Sequence, residues 1–153
     1  MRIVEATEEY TNEWAELRAL LWPEESLAEH VDELRRIFFS GHGGRAAFIA
    51  IAADGSLSGF AEAGIRRDPV EGCLTSPAVY LEGIFVREND RGTGLGRRLA
   101  EEVQSWGQAQ GCSEFASDAM LDNVESRRFH AAIGFAEAAE IVAFCKSIPD
   151  AGD

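Results

Sequence analysis

Apolar positions recur along the chain in two rhythms. Trp14, Leu17 and Leu21 fall three and four residues apart, as one face of a helix requires, and Pro23 stops the run. Glu8 and Glu9 just ahead of it suit the positive end of a helix dipole. Ser26 followed three residues later by Glu29 predicts a capping box. It opens a second helix with Leu27, Val31, Leu34 and Phe38 on one face and Gly41-His42-Gly43-Gly44 as the loop beyond. The rhythm then changes. Residues 2–5, 46–53 and 57–65 read as extended, the last two joined by the turn pair Asp54-Gly55. Residues 66–77, with Pro69, Gly72 and Pro77, form a loop before a third strong strand, 78–86. The strands 46–53, 57–65 and 78–86 can pair antiparallel in chain order.

A helical face returns with Leu95, Leu99, Val103 and Trp106. Gly107 lies inside this helix at some cost in propensity, and Gly111 suits its C-terminal cap. Residues 113–118 follow as a short strand, parallel to 78–86 if the helix between them is a crossover. Residues 124–132 read as a short helix and 134–146 as a last strand. The expected order is helix, helix, three strands, helix, strand, helix, strand. It makes an α/β fold with a mixed, twisted and largely antiparallel sheet, in one domain over residues 1–148 with a tail at 149–153.

Composition narrows the function classes. In 153 residues, 46% apolar and 27% charged, no apolar run is long enough to span a bilayer. With no basic-then-apolar start, a soluble cytoplasmic protein is expected. A net charge of −13 repels nucleic acid and anionic membranes and attracts cationic small molecules or basic peptides. Cys73, Cys112 and Cys145 form no CxxC pattern and read as free thiols. His30, His42 and His130 have no metal-ligand spacing, so no metal is expected.

One segment carries positive charge against this background. The strand 78–86 leads through residues 87–90 into Arg91-Gly92-Thr93-Gly94-Leu95-Gly96, followed by Arg97, Arg98 and the amphipathic helix. Glycines let a ligand approach the backbone, the first amides of a helix are unpaired, and the helix dipole favours an anion there. The loop lacks the Gly-Lys-Ser/Thr ending of a nucleoside-triphosphate P-loop, and no Gly-x-Gly-x-x-Gly opens a dinucleotide unit.

With this loop and this element order the chain resembles the GNAT superfamily of N-acetyltransferases, whose signature is Arg/Gln-x-x-Gly-x-Gly/Ala. The resemblance implies that the loop amides bind the pyrophosphate of acetyl-CoA. It also implies that the strands 78–86 and 113–118 splay to admit the pantetheine arm beside Ile84, Phe85 and Val86. Asn123 and Ser126, in a segment like the superfamily's second motif, would lie near the cofactor. A closer resemblance is to aminoglycoside 6'-N-acetyltransferases. It is carried by Leu21-Trp22-Pro23, Gly59-Phe60-Ala61, Ser76-Pro77, residues 81–86, Ala116-Ser117-Asp118 and His130-x-x-x-Gly134-Phe135. It implies a polycationic aminoglycoside as acceptor, with Trp22, Glu82, Asp118 and Glu137 at or near its cleft. A carboxylate takes the amine proton (Glu82 first, Asp118 next), the Ile84 amide faces the developing oxyanion, and His130 is the candidate acid for the leaving thiolate. The group often dimerises, so a homodimer is possible. The same loop also fits a GNAT enzyme for another amine, such as a polyamine, a metabolite or a protein lysine, or a non-catalytic coenzyme A-binding module. Pro69, Phe144 and Cys145 depart from the pattern common among relatives.

Overall fold

In the computed structural model, which describes residues 1–152, five strands form one sheet in the order β1-β2-β3-β4-β5. They are β1 (Arg2–Glu5), β2 (Arg45–Ile51), β3 (Leu57–Arg66), β4 (Ala78–Val86) and β5 (Phe115–Ala116). The first four pair antiparallel, and β4 pairs parallel with β5 through Val79↔Phe115 and Tyr80↔Ala116. The helices are α1 (Thr11–Leu21), α2 (Leu27–Phe38), α3 (Leu95–Ala109) and α4 (Val124–Ala132).

The strands read as continuous apolar runs because both sheet faces are covered. Along β2, Ala46, Phe48 and Ala50 point to one side and join Leu95, Leu99 and Val103 of α3. Ala47, Ile49 and Ile51 point to the other and join Trp14 and Leu17 of α1 and Leu34 of α2. The capping box at Ser26 and Glu29 forms with both bonds made. Leu27, expected on the buried face of α2, is instead 49% exposed, because it lies in the first turn, outside the stripe that meets the sheet. Gly107, in the last turn of α3, is small because the helix packs tightly on β4: a Cβ there would fall 2.5 Å from a Val79 methyl.

Two expected elements differ. The strand over 113–118 shrinks to Phe115–Ala116, and the last strand over 134–146 does not form. Ile141, Val142, Phe144 and Ile148 are largely exposed. Their composition suits a sheet, but a strand exists only through hydrogen-bonded neighbours, and residues 134–146 pair with none of the five strands. Asp153, the end of the expected tail, lies outside the described residues.

Candidate active site

The site is built around the outer half of β4. Pairing with β5 ends at Tyr80↔Ala116, so from Leu81 to Val86 the strand runs on without a parallel neighbour. Ile84, Phe85 and Val86 stand on this stretch, held from the other side by Ala61, Phe60 and Gly59 of β3. The β3–β4 register passes from Glu62↔Gly83 to Ala63↔Leu81, which leaves Glu82 as an extra, bulged residue. A bulge bends its strand and re-aims the side chain at that point. Farther along, opposite Val86, Gly59 is needed because a Cβ there would lie 2.6 Å from the Phe85 carbonyl oxygen.

At its far end β4 delivers the chain into the glycine loop. Gly92 and Gly94 have φ of +76° and +85°, a left-handed conformation that favours glycine. Gly94 is the N-cap of α3 and brings no side chain to the first helical amides. Nothing crowds Gly92 or Gly94 within 4 Å of where a Cβ would stand. Thr93 Oγ1 donates to the Asp90 carbonyl (2.6 Å) and Arg91 Nε to the Val86 carbonyl (2.9 Å), which fixes the loop on the strand end. Leu95 is buried in the core and anchors the helix start. The result is an open crown of amides at a helix N-terminus, the arrangement that binds phosphate. A depression of about 480 Å³ opens beside it, lined by Leu20, Phe85 and residues 87–91.

The fourth helix closes the other flank. Gly96 is small because the Phe129 ring lies against it, and a Cβ there would be 2.8 Å from that ring. Arg97 donates to the Ala132 carbonyl at 2.5 Å, so its charge also ties α4 to α3. Asn123 caps α4, its Oδ1 accepting from the Ser126 amide at 3.1 Å. His130 Nδ1 faces the Ser126 carbonyl (2.7 Å), which fixes the ring proton there, and Nε2 meets the Ser117 hydroxyl (2.8 Å). Ser117 follows directly on β5, so His130 and the open side of β4 are linked through one hydroxyl.

The carboxylates fall into two groups. Arg66 donates to both Glu82 oxygens, at 3.1 and 3.0 Å, and Arg45 lies 3.9 Å from Oε1. The same Arg66 guanidinium lies 3.5 Å over the Tyr80 ring, and the Tyr80 hydroxyl donates to the Asp118 carboxylate. Burial, then the Asp118 contact, pushes the Tyr80 phenol well above its ordinary range, so it stays a donor. Glu82 and Asp118 are thereby gathered on one side of β4. Glu137 is held elsewhere. Arg127 of α4 grips it at 2.7 and 3.1 Å and keeps its carboxyl below the usual range. Trp22, the C-cap of α1, reaches the bulge from the opposite layer. Its indole lies on Gly83, where a Cβ would be 2.4 Å from Cη2. Gly83 was not singled out in the sequence. Its signal is a glycine in a strand interior, the usual mark of a close approach.

Comparison with known proteins agrees with this geometry. The sequence profile of the Acetyltransferase (GNAT) family matches residues 11–135. An aminoglycoside N(6')-acetyltransferase type 1 from Serratia marcescens is 44% identical over 135 residues, covering 88% of this chain and 91% of that protein. Among solved structures, the aminoglycoside antibiotic 6'-N-acetyltransferase AAC(6')-Ih from Acinetobacter baumannii superposes with a TM-score of 0.90 at 37% identity, over 97% of this chain and 99% of its own. AAC(6')-Iy in complex with the bisubstrate analog CoA-S-monomethyl-acetylneamine gives 0.89 at 39% identity, over 96% and 98%.

Proposed function

The chain belongs to the acetyltransferase (GNAT) family, and from that premise we propose that it transfers acetyl from acetyl-CoA to the 6'-amine of aminoglycoside antibiotics, a resistance activity. One observation carries the reading: full-length likeness to enzymes of that name, at 36–44% identity, spanning both the glycine loop and the bulged strand. No metal is needed.

The residues divide the work as follows. Amides of residues 91–96 hold the pyrophosphate, with Arg91 and Arg97 adding charge. The open edge of Ile84, Phe85 and Val86 receives the pantetheine, and Asn123 and Ser126 border it by ordering α4. The acceptor nitrogen attacks the thioester carbon, a C–N bond forms and the C–S bond breaks. The amide of Ile84 faces the oxygen on which charge develops. The amine arrives as an ammonium and must lose a proton, which a carboxylate takes directly or through water (Glu82 first, Asp118 next). His130 is the candidate acid: Nε2, which accepts from Ser117 in the resting ring, takes up the second proton that the nitrogen sheds as the amide forms and passes it to the sulfur. Trp22, Glu82 and Asp118 form the acceptor side, and Glu137, expected there, is instead held by Arg127 of α4. Arg66 already occupies Glu82 as a cation, so an incoming ammonium competes with it, which favours a polycation over a single amine. The expected place of action is the cytoplasm, where the co-substrate is available. No described helix is long and apolar enough to cross a membrane.

The test is thiol release from acetyl-CoA against kanamycin, tobramycin, spermidine and a lysine peptide. Turnover with the two antibiotics and little with the others is expected. Turnover confined to spermidine or the peptide would overturn the substrate assignment, and none with any acceptor would favour a coenzyme A-binding module.

We also propose a homodimer joined through the segment around residues 141–148, whose apolar side chains Ile141, Val142, Phe144 and Ile148 are exposed. Sedimentation equilibrium is expected to give about twice the 16.7 kDa of one chain. A single species of monomer mass at micromolar concentration would rule this out.

A further inference from the structure

Behind Trp22 lies a buried polar cluster to which the acetyl-transfer reading gives no role. Arg18 of α1 is 3% exposed, Glu62 of β3 4%, and His30 of α2 is fully buried. The Arg18 guanidinium bonds Glu62 at 2.8 Å and Glu33 at 2.9 Å, and its Nε donates to His30 Nδ1 at 3.3 Å. With Nδ1 accepting, the neutral His30 ring carries its hydrogen on Nε2, which meets the Trp22 carbonyl at 3.0 Å. Arg18 also lies 4.9 Å over the Trp22 ring. Glu25, His30 and Glu33 bring their ligand atoms within 4.8 Å of one another. The cation this cluster holds is the guanidinium of Arg18.

Besides the Phe60 ring, 6.2 Å from its own, Trp22 is held through residues of this cluster. Its amide donates to the Arg18 carbonyl at 2.7 Å, its carbonyl accepts from His30, and its indole is held between the Arg18 guanidinium and the backbone of Gly83. Glu62 pairs with Gly83 across β3 and β4, so the residue that anchors Arg18 also sits beside the strand position on which the indole rests. Buried ionic clusters are poor sources of stability, since well-packed apolar residues of like volume often do as well. What such a cluster supplies is a fixed geometry.

We propose that Arg18, His30 and Glu62 are positioning residues: they touch no substrate and hold the Trp22 indole rigid over Gly83 as the wall of the acceptor cleft, and so set acceptor affinity. This rests on the reading of Trp22 as part of the acceptor side. The test compares His30→Met, which keeps bulk but loses the donor, with His30→Gln, whose amide can donate to Trp22 and accept from Arg18. His30→Asn, polar but too short to reach both, replaces His30→Met if that variant does not fold. In His30→Met the KM for kanamycin is expected to rise about tenfold, the effect of one lost hydrogen bond. kcat and the KM for acetyl-CoA should stay within about twofold of wild type, and His30→Gln should restore the acceptor KM. In a Trp22→Ala background His30→Met should add nothing, because both changes act on one feature. The Trp22 indole N–H resonance, identified by its loss in Trp22→Phe, should shift or broaden in His30→Met and return in His30→Gln. An unchanged indole resonance would overturn the proposal, as would the same KM rise in the Trp22→Ala background. If wild type acetylates no aminoglycoside, the acceptor assignment fails on its own, and the resonance still decides whether the cluster holds Trp22.

Discussion

Gly94→Asp is expected to weaken coenzyme A binding by at least about 100-fold while leaving the unliganded fold as stable as wild type. The two halves of this expectation have one cause. Gly94 is the N-cap of α3, has φ +85° and lies in open space. Aspartate tolerates the left-handed region better than most residues, at a cost of roughly 1 kcal/mol. As an N-cap it returns about as much by accepting from the first helical amides. Those are the amides assigned to the pyrophosphate. The new carboxylate would satisfy them from within the chain and set a negative charge where the ligand's charge must come. At about 4 Å and an effective dielectric of 20 the repulsion alone is about 4 kcal/mol, enough for the predicted loss. Titration calorimetry with coenzyme A measures it, and thermal unfolding without ligand supplies the control. An affinity equal to wild type would mean that the loop amides are not the phosphate site.

The glycine loop at the start of α3 was legible because its signal is local. Strand, glycines and helix stand next to one another in the chain, and the left-handed glycines with the uncapped helix start are what their spacing implies. Strand 78–86 was legible to the residue, since a mixed apolar run between a proline loop and a glycine loop leaves little choice of boundary. The acceptor end depends on contacts far apart in sequence. Glu82 stood out as a charge inside an apolar strand, but nothing in the sequence says that Arg66 and Arg45 face it. Glu62 inside β3 carries the same signal. Nothing in the sequence marks Arg18, His30 and Glu33, because α1 and α2 are rich in charges and which one turns inward is settled only when the two helices pack on the sheet. The bulge that leaves Glu82 unpaired and brings Gly83 under Trp22 depends on the register between β3 and β4, which no single strand encodes. The missing last strand reflects the same limit: composition suits residues to a sheet but does not provide the edge.

The stability of Glu62→Gln relative to wild type is expected to rise by about 3 kcal/mol as pH goes from 4.5 to 8. Glu62 is 4% exposed, and burial lifts its carboxyl from 4.5 to about 7, although the Arg18 guanidinium and the nearby Trp14 indole pull it down. Glu33, the other charge facing this group, pushes in the same direction as burial. A carboxyl raised in the folded state contributes stability that is fully present below its unfolded value of 4.5. That contribution is lost as pH rises through about 7, since ionisation then occurs more readily in the unfolded chain. A gap of this size corresponds to about 3 kcal/mol. Glutamine keeps the shape and the acceptor for Arg18 but cannot ionise, so its stability curve lacks this fall. The other acidic residues are common to both proteins and cancel in the difference. Denaturant unfolding of both proteins across this range measures it. Parallel curves would mean that Glu62 titrates alike in the folded and unfolded chain. A difference that grows in favour of wild type would mean that attraction to Arg18 outweighs the cost of burying the charge, and that the cluster behind Trp22 is a net stabilising ion pair at neutral pH.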